Sequence, residues 1–215
     1  MIIRFIGHAT FEIILSDGRK ILIDPYMGKS FQGRFNYPTY EAACDFAVIT
    51  HEHPDHNYLG GMRNIPVVVR QGWVDDGLKI RSIFAYHDKF EGKKFGGYVL
   101  MKVIEAEGIR LGHLGDVGEI LTDDQIGALG RLDILILPVG GFYTVDGDEA
   151  YGLAERIGAG VTIPCHYRTP SCSLPIEDAS RFLSHYPESQ KILGSSVLHT
   201  QLQRGVYIFE DYAAH

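Results

Sequence analysis

The stretch FAVITHEHPDHNYLGG, residues 46–61, decides how this chain is read. Four apolar residues, Phe46 to Ile49, read as a buried strand; the chain then turns polar and presents His51, His53, Asp55 and His56 in close succession. In an extended segment side chains repeat every second residue, so His51 and His53 point the same way and suit one cation. The turn after Pro54 brings Asp55 and His56 round towards a second. Histidines also gather in loops for packing or solvation. Here, however, the complete H-x-H-x-D-H pattern follows the carboxyl end of a strand, where open α/β sheets place their ligands. The spacing asks for two metals.

Working outward, a chain of 215 residues suits one sizeable core better than two, so a single domain over residues 1–215 is expected. A formal charge of -7 offers none of the basic surplus that general nucleic-acid binding needs. There is no charged-then-apolar leader and no run of about eighteen apolar residues, so a membrane is not expected as a partner. Cys44, Cys165 and Cys172 have no framework spacing, and a reducing cytoplasm fits them. A small-molecule substrate is the expected partner, with a homo-oligomer left open. The 25 glycines imply many tight turns and close backbone approaches.

Ahead of the decisive stretch, Ile2 to Ile6, Phe11 to Leu15 and Lys20 to Ile23 are β-rich, and Asp17-Gly18 signals a hairpin. Residues 26–40, YMGKSFQGRFNYPTY, lack a period and form a loop whose aromatics either pack on a sheet or wall a pocket. Behind it, Leu59 to Arg63 suggests a short helix, and strands are expected at Pro66 to Val69, Lys79 to Ala85, Tyr98 to Glu105 and Ile109 to Leu114. Thr122 with Gln125 starts a capped helix to about Leu129. Asp133 to Leu137 and Val161 to Pro164 read as buried strands, Asp148 to Ile157 as a helix ended by Gly158, and Ile176 to His185 as an amphipathic helix. Val197 to Leu202 and Val206 to Phe209 close the pattern. Strands first and strand-helix alternation later predict an α/β (α+β) arrangement of sheets with helices on their outer faces.

Two metals need more donors than one loop supplies, and three further strand ends offer them. Phe84-Ala85-Tyr86 leads into His87; HLGDVG, residues 113–118, sets Asp116 between glycines; and Ile163-Pro164-Cys165 leads into His166. HEHPDH resembles the signature of the metallo-β-lactamase superfamily of metal-dependent hydrolases. The order Gly7-His8-Ala9, residues 51–56, His87, Gly115 to Gly118, PVGGFYT at 138–144 and Ile163 to His166 is similar to one branch of it. That branch contains ascorbate-6-phosphate lactonase-like proteins and N-acyl phosphatidylethanolamine phospholipase D. The resemblance covers residues 5 to about 170 and implies a four-layer αββα sandwich. It implies one metal on His51, His53 and His87, a second on Asp55, His56 and His166, and Asp116 as the bridge. It gives His87 rather than His113 to the first metal, so His113 supports the site without ligating. Asp24 supports the metal loop by hydrogen bonding in the same way, and His8 joins Asp55 as a catalytic candidate. Val117 stands where the branch carries Thr, which removes a hydroxyl beside the bridging aspartate.

Imidazoles and carboxylates without thiolate suit Zn²⁺ first, with Mn²⁺ or Fe²⁺ also accepted. Two cations about 3.5 to 4 Å apart can lower the pKa of a shared water from roughly 15.7 to about 7 and so make the hydroxide nucleophile of a hydrolase. Two dications set against Asp55, Asp116 and that hydroxide leave a net charge of about +1. A small anionic substrate is therefore expected, such as a phosphodiester, phosphorylated lactone or ester. Of the loop cations, Arg168, two residues after His166, is the substrate-binding candidate. The competing reading is a regulatory or redox protein that holds metals without hydrolytic turnover. Related diiron proteins resemble H-x-E-x-D, and this chain has His53 at the middle position.

Overall fold

Alternating β-branched and aromatic residues make strands of much of the chain. The computed structural model describes residues 1–212. β1 (Ile2–Gly7), β2 (Thr10–Ile14), β3 (Lys20–Ile23), β4 (Phe46–Val48) and β5 (Val67–Val69) come first. An antiparallel run follows in β6 (Trp73–Asp75), β7 (Leu78–Tyr86), β8 (Tyr98–Ala106) and β9 (Ile109–His113). The chain then passes through α1 (Asp123–Leu129), β10 (Ile134–Pro138), α2 (Gly147–Ile157) and β11 (Val161–Cys165). It ends in α3 (Ser180–Leu183), β12 (Gln190–Ile192), β13 (Ser196–Leu198) and β14 (Gly205–Phe209).

These strands form two mixed sheets, one in the order β13-β1-β2-β3-β4-β5 and one in the order β12-β14-β11-β10-β9-β8-β7-β6. Their inner faces meet. Ile3, Phe5, Phe11, Ile13, Ile21 and Ile23 of the first sheet pack with Ile80, Ile104, Leu111, Ile134, Ile136 and Ile163 of the second. Each such side chain is worth roughly 1.5 to 3 kcal/mol when fully buried. The outer face of the second sheet buries Met101, Val103, Leu135 and Leu137 against Leu129, Leu153 and Phe182 from the three helices. Thr122 caps α1 reciprocally with Gln125, and Gly158 ends α2 at a left-handed φ of 65°.

Among the described residues, no α-helix covers the outer face of the first sheet. Over the outer face of the first sheet, Leu22 is covered by Cys44 and by Tyr26, Phe35 and Tyr37 from the aromatic loop, which among the described residues contains only the short 3₁₀ turn Phe31–Gly33. Three other expectations also change. Residues 59–63 form no helix: Gly60 and Gly61 disfavour one, and the backbone pairs instead with Ala42 through Ala42 N to Gly61 O (3.1 Å) and Arg63 N to Ala42 O (2.7 Å). The helix expected from Ile176 to His185 shrinks to Ser180–Leu183. Glu177 is tied across the rim, donating to Gly140 O at 2.7 Å and accepting from Arg168 N at 2.8 Å. The strand expected from Val197 to Leu202 stops at Leu198, where its pairing with Ile2 ends and His199–Gln201 turn in a 3₁₀ bend. β6 and β12 were not anticipated; Asp76-Gly77 is the hairpin signal that marks β6.

β1, β3 and β4 run one way in the first sheet, as β7, β9, β10 and β11 do in the second. The residues that follow these strands gather along one rim. Backbone and side-chain bonds cross between the sheets there: Leu100 N donates to Thr50 O, His166 N to His8 O, and the His113 ring to Ala9 O, each at 2.9 Å.

Lys102 on β8 is fully buried. Its ammonium donates to Ser82 Oγ (2.8 Å) and to the Arg70 carbonyl of the opposite sheet. Burial outweighs the attraction of Asp24 and lowers its pKa from 10.5 to about 8. Between those values the unfolded chain binds a proton that the folded chain releases, so stability rises with pH through the window, and the penalty is full below pH 8. Lys102→Met keeps the stem and removes the charge. Urea unfolding across pH 8 to 10.5 is expected to show a flatter rise for the variant, the difference in slope amounting to on the order of 3 kcal/mol over the window. Parallel profiles would contradict the assignment.

Candidate metal centre

The proposed ligands, with His8 and Asp24, stand just beyond strands. His8 follows β1, Asp24 follows β3, residues 51–56 follow β4, His87 follows β7, Asp116 follows β9 and His166 follows β11. Three of them, His8 (φ 57°), Asp24 (φ 48°) and His166 (φ 51°), hold left-handed backbone conformations that L-residues adopt at a cost of about 1 to 3 kcal/mol. Packing of the two sheets maintains that geometry. Gly118 shows how tight it is: a Cβ there would lie 2.2 Å from the His87 carbonyl oxygen.

Of the three donor groups the chain brings together, Asp24 with His51 and His56 is held by the hydrogen bonds of Asp24, and two others face the cavity. His51, His53, His87 and Asp116 form one; His8, Asp55, His56 and His166 form the other; within each group the donor atoms lie within 4.8 Å of one another. In the first, His51 Nε2 is 3.0 Å from His53 Nδ1 and 3.7 Å from Asp116 Oδ2, which is 3.5 Å from His87 Nε2. In the second, Asp55 Oδ2 is 3.2 Å from His8 Nε2 and 3.7 Å from His56 Nε2. Asp116 joins the groups, with Oδ2 3.1 Å from His166 Nε2 and Oδ1 3.2 Å from His56 Nε2.

Buried polar atoms in a protein interior are almost always hydrogen-bonded. Here His56 Nε2, both nitrogens of His87, and Asp116 Oδ1 have no aligned hydrogen-bond partner. The donor set is hard and borderline, made of imidazole nitrogens and carboxylate oxygens. Both observations fit a pair of divalent cations.

Asp24 sets the orientation of two ligands. Its carboxylate accepts from Thr50 N (2.8 Å), Thr50 Oγ1 (2.6 Å) and His56 Nδ1 (3.0 Å). The Thr50 hydroxyl, having given its hydrogen to Asp24, accepts from His51 Nδ1 at 2.9 Å. Nε2 of both His51 and His56 thereby faces the centre as the ligand atom. His113 uses both ring nitrogens elsewhere, donating to Ala9 O (2.9 Å) and accepting from Gly115 N (3.1 Å), so it ties the two sheets without joining either group. Val117 packs into the cluster beneath the helices, and Cys165 lies in the core between the sheets, its thiol pushed up by burial.

The electrostatics follow from crowding charge into an apolar interior. Burial lowers His8 to about 4, with His166 adding to the effect, and burial also takes His51 well below its ordinary value. For His56, burial is outweighed by Asp116 and Asp55, which hold its proton on well above the usual range. Burial would likewise raise Asp116, but His166 and His56 overcome it and keep the carboxylate ionised; His56 and His8 do the same for Asp55.

A cavity of about 170 Å³ opens over Asp55, Asp116 and His166. Its walls are Phe31, Pro54, Phe95, Tyr143 and Leu174, with His53 and His87 completing it. Arg168 is not among the lining residues: its side chain is 56% exposed, and Nη2 lies 3.8 Å from Asp178 Oδ2. The alternatives for the aromatic loop are both realised, since Phe31 faces the cavity while Phe35 and Tyr37 pack beneath. Phe95, Tyr143 and Leu174 were not anticipated as cavity residues; Tyr143 sits inside the PVGGFYT stretch and was legible only as part of that motif. A larger groove of about 380 Å³ lies at the opposite ends of β11, β12 and β14, away from every donor group.

Two sheets packed face to face with an HEHPDH loop and strand-end ligands on one rim make a metallo-β-lactamase fold. The model of the Beta-lactamase superfamily domain matches residues 2–166. Within that superfamily, the chain belongs to the UPF0173 metal-dependent hydrolase family. It is 31% identical over 195 residues to the UPF0173 metal-dependent hydrolase of Thermococcus onnurineus, covering 78% of this chain and 84% of the relative. The Thermoplasma acidophilum member is 28% identical over 188 residues, covering 76% and 81%. A crystal structure from Thermotoga maritima, described as a proposed zinc-dependent hydrolase of the metallo-β-lactamase superfamily, superposes with a TM-score of 0.79 at 28% identity and covers 98% of both chains.

Asp24→Asn keeps the shape but weakens the acceptor that fixes Thr50 and His56. Zinc affinity, measured by competition with a chromogenic chelator, is expected to fall by roughly 10- to 100-fold. Unchanged affinity would show that these ligands orient without Asp24.

Proposed function

We propose that the chain hydrolyses a small substrate at a dinuclear centre, with His51, His53 and His87 holding one divalent cation, Asp55, His56 and His166 the other, and Asp116 both. The observation that carries this reading is the Asp116 carboxylate, which lies within 3.7 Å of imidazole nitrogens from both groups. Zinc is the first choice for such donors, with manganese or iron accepted. When bound, two such cations supply Lewis acidity and a water ionised near neutral pH.

The protein's own residues supply the rest. His8, neutral at ordinary pH, donates through Nε2 to Asp55 Oδ2 and fixes that carboxylate against the second site. Asp55 in turn orients the attacking water. Phe31, Phe95 and Tyr143 narrow the opening and limit bulk water around the reacting group. The net charge of about +1 over the loaded centre favours an anionic reacting group, such as a phosphodiester, a phosphorylated lactone or an ester that gains negative charge on attack. The order of motifs supports placement beside the ascorbate-6-phosphate lactonase-like branch. The cavity lining supplies no Lys or Arg, so the attraction for an anion comes from the centre itself.

Metal analysis with a substrate panel tests the proposal. Purified protein is expected to carry about two equivalents of zinc, manganese or iron per chain and to hydrolyse bis(4-nitrophenyl) phosphate or 4-nitrophenyl acetate. Activity should vanish with chelator and return with metal, and Asp116→Ala should lower both metal content and rate, the latter by at least about 100-fold. Metal retained without turnover would favour the regulatory reading, and iron with electron transfer the redox one.

A further inference from the structure

The cavity over the centre is small, apolar side chains form half of its lining, and one wall loop is tied down by hydrogen bonds. Asp88, directly after His87, is buried, and its carboxylate accepts four backbone N–H groups, from Phe90, Gly92, Lys94 and Phe95, at 2.7 to 3.0 Å. One side chain thus closes the 88–97 loop on itself and presents Phe95 to the cavity. From the other side, Phe95 meets Phe142 and Tyr143, with ring centroids 5.6 and 5.1 Å apart. Phe31 arrives from a third segment.

Three basic residues near this rim are engaged by contacts outside the cavity lining. Lys94 lies over the Phe90 and Phe95 rings at 5.5 and 4.8 Å, Lys89 pairs with Glu149, and Lys93 with Glu91 at 2.6 Å. None of the three lines the cavity, whose walls carry no cation.

We infer that this cavity recognises a single apolar ring attached to the reacting ester or phosphoryl group, and that Phe95 with Tyr143 selects for it. The size agrees. At about 170 Å³ the cavity falls well below the roughly 300 to 1,000 Å³ of ordinary ligand sites and near the ~150 Å³ apolar cavity that accepts benzene. The chemistry agrees as well, because aromatic walls gain from edge and offset contacts with a ring beyond the area they bury. The floor of the cavity holds Asp55, Asp116 and His166, so a ring seated among the walls places its attached group against the centre. The inference rests on the hydrolase reading and deepens it by naming the group beside the bond that breaks.

The test compares phenylphosphonate with methylphosphonate, two stable anions that differ only in the ring, by calorimetric titration of the zinc-loaded protein. Phenylphosphonate is expected to bind at least about tenfold more tightly. Phe95→Ala should erase most of that preference, lowering phenylphosphonate affinity by a larger factor than methylphosphonate affinity, and Phe95→Leu should retain part of it. Zinc content and thermal melting of each variant establish that the fold and centre persist, and the comparison within the unaltered protein needs no variant. Equal affinities for the two phosphonates, or a preference that survives Phe95→Ala, would overturn the inference and leave the hydrolase reading standing. Failure to take up zinc, manganese or iron and to bind methylphosphonate would overturn both.

Discussion

A carboxylate buried in a protein interior requires compensating partners close by, and Asp116 has four imidazoles around it. His166 lies at 3.1 Å, His56 at 3.2 Å, His87 at 3.5 Å and His51 at 3.7 Å, all inside a protein interior. An isolated buried charge would cost several kcal/mol even after relaxation, so this cluster is stable only as a compensated unit. The four histidines come from three strand ends in two sheets. No local segment can assemble them; the face-to-face packing of the sheets does. The hydrophobic interior is thus what gives the polar rim its geometry.

That geometry passes through a short chain of hydrogen bonds. Asp24 fixes Thr50 and His56, Thr50 fixes His51, and His113 clips the turn after β1 to the loop bearing Asp116. Left-handed backbone at His8, Asp24 and His166 shows that the rim is strained and that the surrounding sheets hold the strain. Ligand positions fixed in this way need little reorganisation when charge develops, which is the condition under which electrostatic stabilisation is most effective.

The centre was legible in the sequence because ligation imposes residue types that packing does not. HEHPDH concentrates four donors in one turn, and His87, Asp116 and His166 each follow an apolar strand run whose end is easy to see. The helical layer over the first sheet was not legible as absent. Aromatics in residues 26–40 without a period are equally compatible with a surface loop and with the buried cover formed by Phe35 and Tyr37. Residues 176–185 carry an amphipathic pattern, yet the bonds from Glu177 to Gly140 and Arg168 claim the first turn, and local periodicity gives no sign of such long-range pairing. Arg168 illustrates the same limit: two positions after a ligand, it nonetheless lies outside the cavity, beside Asp178.

Ligands and walls are held by different parts of the structure, and this separation bears on how one fold serves many reactions. The donors stand at strand ends clamped by bonds between the sheets, whereas Phe31, Phe95 and Tyr143 stand on three loops, each with its own support. The loop carrying Phe95 depends on Asp88 for its shape, and Asp88 uses its carboxylate on backbone N–H groups rather than on the centre. A change in that loop can therefore alter what enters the cavity while Asp24, Thr50 and His113 keep the donors in place. The sheets determine which donors come together, and the loops determine what surrounds them, so membership of the fold defines the donor set more closely than it defines the substrate.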